Sequence, residues 1–149
     1  MQGDDWIDIL DSPLPTQAAI TFITTPDAGG MAIFLGTTRT EKNPQQQELI
    51  ALDYEAYQEM ALPQLQTLAT AARSQWPIIK SVILHRTGRV ALSEPSVLIA
   101  IASPHRHEAF SACRFIIDAI KADVAIWKKE FWADGSATWV EPNAPRSTT

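Results

Sequence analysis

Apolar positions recur along the chain in blocks of strand or helix length, and glycine or proline closes most of them. Trp6, Ile7, Ile9 and Leu10 alternate weakly ahead of Pro13 and Pro15, which predicts a short first strand within residues 6–14. Thr16 is placed to cap a short helix through Ile23, with Ala19, Ile20 and Ile23 as its apolar stripe. Met31 to Leu35 is a continuous apolar run between Gly30 and Gly36, the pattern of a buried strand. Residues 37–48 are polar, with Arg39, Lys42, Pro44 and three glutamines, and read as a mobile loop of the kind that carries function. Residues 49–57 alternate again and predict a half-buried strand. Leu62, Leu65, Leu68/Ala69 and Ala72 then recur at helical spacing, predicting a helix from Glu59 to Gln75 with Pro63 in its first turn.

Two more β-rich runs cover residues 78–85 and 96–102, and the segment between them is long for a tight hairpin. Ser103-Pro104 has the form of a helix start, with serine as the N-cap and proline at the first helical position. Ala109, Cys113, Ile116, Ile117 and Ile120 make the buried stripe of a helix to about Lys121. Residues 125–132, a turn at Asp134-Gly135 and residues 137–140 form a hairpin signature. Strands and helices are mixed without strict alternation. That order predicts an α+β fold, a mixed and largely antiparallel sheet with flanking helices. A single domain is expected over residues 1–141, followed by a polar tail, 142–149, that frays.

Composition narrows the function classes. The 149 residues can enclose one core without staples. Twelve basic against 17 acidic residues give a net charge of −5, so neither nucleic acid nor an anionic membrane is an expected partner. One cysteine, Cys113, excludes an internal disulfide and a multi-thiolate zinc site. No apolar run reaches membrane-spanning length, and residues 1–6 lack the basic start of a signal peptide. A cytoplasmic location is therefore expected. There is no glycine-rich phosphate loop, and no cofactor is expected. His105 and His107 are two apart and do not share a helix face, so no metal site is expected either.

Three places could carry chemistry. The helix opening near Ser103 puts His105, Arg106 and His107 where the free N–H groups and the dipole already make the surroundings positive. That arrangement suits an anion such as phosphate; the alternative is that these side chains simply project into water. Lys121 sits at the other end of the same helix, where a cation is favourable in any case. Lys128 and Lys129 fall in a strand, so alternation sends them to opposite faces and brings at least one toward the apolar side. A partly buried lysine among cations can serve as a base or nucleophile; otherwise it snorkels. Arg39, at the mouth of the polar loop, is the third candidate for an anion.

These residues coincide with the motifs of a known family. Phe34-Leu35-Gly36-Thr37-Thr38-Arg39, His85-Arg86-Thr87-Gly88 and Ser103-Pro104-His105-Arg106-His107-Glu108-Ala109-Phe110 come in the family's order. Lys121 with Ile126-Trp127-Lys128-Lys129-Glu130 follows, then Trp139-Val140-Glu141. From about Ile7 to Glu141 the chain resembles the large, catalytic subunit of molybdopterin synthase. The resemblance implies an α+β fold with a hammerhead-like sheet arrangement, and a homodimer. Each protomer would dock a small ubiquitin-like sulfur-carrier subunit whose C-terminal Gly-Gly tail, as a thiocarboxylate, enters a pocket. The sulfur would pass to cyclic pyranopterin monophosphate and build the molybdopterin dithiolene in two rounds. Lys121 and Lys128 match the family's essential lysines, while Arg39, His105, Arg106 and Lys128 would hold the substrate. His105 and Arg106 could serve the neighbouring protomer's site. The sequence departs from the family pattern at Asp123, Ala125 and Ser93, where a basic residue, a proline and a glycine are common. Two other readings stand beside this one: an impaired homologue that only binds the carrier, and an unrelated phosphate-ester hydrolase.

Overall fold

The computed structural model describes residues 3–140, so the expected tail 142–149 lies outside the described residues. Eleven elements follow in the order β1 (Asp5–Leu10), α1 (Thr16–Ile23), β2 (Gly30–Thr37), β3 (Leu49–Ala56), α2 (Gln58–Gln75), β4 (Lys80–Arg86), β5 (Gly88–Ala91), β6 (Pro95–Ser103), α3 (Arg106–Asp123), β7 (Ile126–Trp132) and β8 (Ala137–Val140). They build two four-stranded sheets, ordered β1-β4-β6-β2 and β5-β3-β7-β8. Every pairing is antiparallel except β1 with β4. The expected α+β class with a largely antiparallel sheet is therefore what the chain adopts.

The first sheet is the core. Ile83, Ile99 and Ile101 on one face meet Ile116, Ile117, Ile120 and Cys113 of α3 and Leu65 and Ala69 of α2. Val82, Leu84, Leu98 and Ala100 on the other face pack against Ala19 and Ile23 of α1. Side chains of this size contribute roughly 1.5–3 kcal/mol each when fully removed from water. Arg73 near the end of α2 donates to Asp5 at 2.7 Å and to the Ile78 carbonyl at 2.7 Å, tying that helix to β1 and the start of β4.

Several sequence expectations shift for physical reasons. Thr16 is the first helical residue rather than a cap; Pro15 holds the N-cap position and no side chain caps that end. Pro63 is the sixth residue of α2, so it removes a hydrogen bond inside the helix rather than at a free end. Helix α3 starts at Arg106, with His105 as its N-cap. Ser103 instead ends β6, fully buried, with its hydroxyl donating to the Pro77 carbonyl. The segment 86–95 contains β5, which pairs with β3 in the second sheet.

The largest correction concerns β2. Among the described residues it is an edge strand, bonded only to β6. Met31, Ile33 and Leu35 are 45%, 39% and 37% exposed, while Ala32 is buried and Phe34 packs on the core. The continuous apolar run is therefore buried on one face and open on the other.

Ser93 lies in the left-handed region with φ 70°, in a turn whose N–H donates to the Thr38 carbonyl at 2.7 Å. A side chain in that conformation is strained, so Ser93→Gly is expected to stabilise the fold by about 0.5–1 kcal/mol. Urea unfolding midpoints of the two proteins check this.

Candidate functional site

Between the two sheets and the C-terminal end of α3 lies a cleft of about 560 Å³. Its wall runs from Phe34 through Arg39, across Leu52 and Tyr54 of β3, to His85 at the end of β4. Ile117, Ile120 and Lys121 of α3 and Lys128 and Glu130 of β7 close the other side. The cleft is thus apolar at its base and carries three cations, with Glu41 and Glu130 as the acids on its lining.

Each cation arrives by a separate local rule. A register shift between Gly36 and Thr37 ends the regular pairing of β2, and Arg39 follows at the start of the loop. Lys121 stands in the last turn of α3, where the helix dipole favours a cation. Along β7 the pleat sends alternate side chains to opposite faces. Lys128 pairs with Tyr54 and lines the cleft. Lys129 stands on the outer face, its Nζ 5.5 Å from the centre of the Phe131 ring and 5.2 Å from that of Trp139. The expected split of the two lysines is what alternation produces.

His105 and Arg106 are not in this cleft. They are exposed at the opposite end of α3. Fifteen residues separate Arg106 from Lys121, about 22 Å along the helix at 1.5 Å per residue. Gly29 and Gly30 let β2 begin directly beneath that helix start: a Cβ on Gly30 would lie 2.8 Å from the Arg106 Cα. The two glycines, which read as a turn signal in the sequence, are required by this close approach.

His85, Tyr54 and Glu130 are cleft residues that were not picked out as candidates from the sequence. His85 is 5% exposed, and its Nδ1 lies 3.0 Å from the Arg86 carbonyl oxygen. Its ring packs edge-to-face on Tyr54 with centroids 5.1 Å apart. Burial lowers its pKa to about 4; the Arg86 carbonyl acts in the opposite direction, and the nearby charge of Lys121 lowers it further. The unfolded chain takes up this proton near pH 6.5 and the folded chain does not until about pH 4. The unfolded state therefore binds more protons across that window, and stability falls as pH drops through it. About 2 kcal/mol is expected to be lost from this group between pH 7 and pH 5. Urea unfolding at the two pH values checks this, with a flatter dependence expected for His85→Gln.

Cys113 lies on the buried stripe of α3, and burial pushes its thiol up to about 11. It is a protonated core residue, not a nucleophile. No cluster of three His, Cys, Asp or Glu that could hold a metal is present among the described residues. Among the described residues no helix is long and apolar enough to cross a membrane. Asp123 and Ala125 do not line the cleft, and the Ala125 N–H donates to Gln64 Oε1 at 2.8 Å, a bond that a proline would lack.

An α+β domain of two four-stranded sheets that gathers Arg39, Lys121 and Lys128 in one cleft is the arrangement set against known proteins. Residues 9–123 match the family described as "MoaE protein", and the chain belongs to that family. A molybdopterin synthase catalytic subunit from Thermoplasma volcanium is 38% identical over 134 residues, covering 90% of this chain and 96% of its own. One from Nostoc sp. is 43% identical over 117 residues, covering 78% of this chain and 70% of its own. This chain spans only 37% of the length of the Drosophila willistoni relative. The crystal structure of molybdopterin synthase from Staphylococcus aureus superposes with a TM-score of 0.84 at 34% identity, covering 91% of this chain and 96% of that one. A complex of subunits 1 and 2 of the Helicobacter pylori molybdopterin-converting factor shares the fold, with a TM-score of 0.75 at 18% identity.

Proposed function

We propose that this chain is the catalytic subunit of a molybdopterin synthase. It transfers sulfur from the C-terminal thiocarboxylate of a small ubiquitin-like carrier ending in Gly-Gly to cyclic pyranopterin monophosphate. The observation that carries this reading is the convergence of Arg39, Lys121 and Lys128 on one cleft in a chain of this family. The sole cysteine is buried and protonated, which supports a reading in which the sulfur is brought by a partner. An extended anionic tail suits a cleft lined by Arg39, Lys121 and Lys128. Within it, Lys121 contacts the thiocarboxylate carbonyl or transfers a proton. Lys128 holds substrate or stabilises negative charge as it develops. Arg39 binds the phosphate.

His105 and Arg106 complete the site from a second copy. The open edge of β2 and its exposed row of Met31, Ile33 and Leu35 offer an interface. An antiparallel pairing of β2 with itself about Ile33 would set Gly30 of one copy opposite Gly36 of the other. The six residue steps from Gly30 to Gly36 span about 20 Å. Gly30 lies against the Arg106 Cα and Arg39 follows Gly36 by three residues, so the pairing would bring His105 and Arg106 toward the Arg39 of the second copy. Buried polar atoms without hydrogen-bond partners lie at both ends of this edge, Thr38 Oγ1 beyond β2 and Glu108 Oε2 at the start of α3. The homodimer is the symmetric closure of such an edge.

Reconstitution tests the reading. Incubation with a thiocarboxylated carrier and cyclic pyranopterin monophosphate is expected to give dithiolene product. A stable carrier complex that yields no product would leave only a docking protein. Hydrolysis of simple phosphate esters without any carrier would support the hydrolase reading instead.

A further inference from the structure

His85 is a cleft residue whose chemistry sulfur transfer, as set out above, leaves unused. A carbonyl oxygen can only accept, so the contact with Arg86 places the ring hydrogen on Nδ1 and leaves the lone pair on Nε2. The ring thus contributes a hydrogen-bond acceptor without a charge to a cleft whose cations are donors only. Lys121 lies on the same lining, close enough for its charge to act on the imidazole. In the open cleft, water can meet the three N–H donors of the Lys121 ammonium. Once a tail fills the cleft and water leaves, those donors need acceptors from the ligand or the protein.

We propose that His85 is a positioning residue for sulfur transfer: its Nε2 accepts a hydrogen bond from the Lys121 ammonium when the carrier's tail occupies the cleft, fixing Nζ against the tail's terminal carbonyl. This rests on the synthase reading of the cleft. A protonated ring at this place would repel Lys121 and could not accept. Burial keeps the ring neutral, and the Arg86 carbonyl fixes the tautomer that leaves Nε2 as the acceptor. Tyr54 packs against the ring and limits its rotation.

The test measures how fast Lys121 is acylated by an amine-reactive reagent, read by peptide mass spectrometry, with and without a carrier bearing an ordinary Gly-Gly carboxylate. This carrier binds without turnover, so the readout does not depend on activity. In the wild type, saturating carrier is expected to slow acylation of Lys121 by about tenfold or more. His85→Asn retains an N–H toward the Arg86 carbonyl and has no acceptor at the Nε2 position. It is expected to lose most of that protection at unchanged carrier affinity. His85→Gln brings an amide oxygen to the Nε2 position and is expected to restore protection. In turnover, the Asn variant should lower kcat more than it raises KM. Full protection of Lys121 in the Asn variant would overturn the proposal. So would equal loss in folded Asn and Gln variants, because the ring would then act by bulk alone. A wild type that binds carrier without protecting Lys121 would also refute the role of His85. A wild type that binds no carrier would overturn the synthase reading itself, and this inference with it.

Discussion

Lys121→Ala is expected to lower the rate of dithiolene formation by about a hundredfold or more, the scale lost with a group that transfers a proton or stabilises charge in a transition state. The fold should survive, because Lys121 is exposed in the last turn of α3 and the buried stripe of that helix is untouched. Losing the cation there costs only the helix-dipole interaction, a few tenths of a kcal/mol at an exposed site. Carrier affinity, measured by calorimetry with the unreactive carboxylate tail, should change far less than the rate. Lys129→Ala is the matched control. It removes a lysine from β7, next to Lys128, but from the outer face, where Lys129 stacks on Phe131 and Trp139. Near-wild-type activity is expected for that variant. A Lys121→Ala protein that retained most of its rate would remove this lysine from the chemistry.

Ile33→Lys is expected to break the proposed dimer and, with it, most of the activity. Ile33 is 39% exposed at the middle of the open β2 edge, on the face that α1 leaves uncovered. A lysine there is tolerated in a monomer, where it points to water. In a self-paired edge it meets its own copy across the two-fold axis, like charge against like charge. Light scattering should then report a monomer with an unchanged far-UV spectrum. The loss of rate should resemble that of Arg106→Ala, since both deprive the cleft of the same neighbouring groups. A monomeric variant with full activity would show that each cleft is complete within one chain.

The helical stripe of α3 was legible because Ala109, Cys113, Ile116, Ile117 and Ile120 repeat at a period that only one conformation buries. The separation of Lys128 from Lys129 was legible for the same kind of reason, the two-residue period of a strand. Met31 to Leu35 misled because a continuous apolar run describes equally a strand buried on both faces and an edge strand with one face open. Periodicity does not distinguish them. Ser103-Pro104 misled because sheet pairing overrode a local cap signal: β6 continues to Ser103, opposite Gly30. β5 was missed because it is four residues long, with Val90 its one buried side chain. His85 sits among Val82, Ile83 and Leu84, so it blended into a core strand. Its contribution depends on which end of β4 meets the cleft, and that is set by tertiary structure. The cationic residues were found by type, but charge alone could not show that His105 and Arg106 lie at the far end of α3 from Arg39, Lys121 and Lys128.

A catalytic cleft built from two copies of the chain can be tested by mixing two inactive variants. Lys121→Ala and Arg106→Ala, each expected to retain little activity alone, are combined, allowed to exchange subunits, and supplied with thiocarboxylated carrier and cyclic pyranopterin monophosphate. In a hybrid dimer with shared sites, one cleft carries both lesions and the other carries none. Half the dimers are hybrids at equal mixing, so activity should recover to about a quarter of the wild-type value. If His105 and Arg106 served the cleft of their own chain, or no cleft at all, both sites of every hybrid would keep the composition of their parents. Mixing would then give the mean of the two variants and no recovery, despite proven subunit exchange.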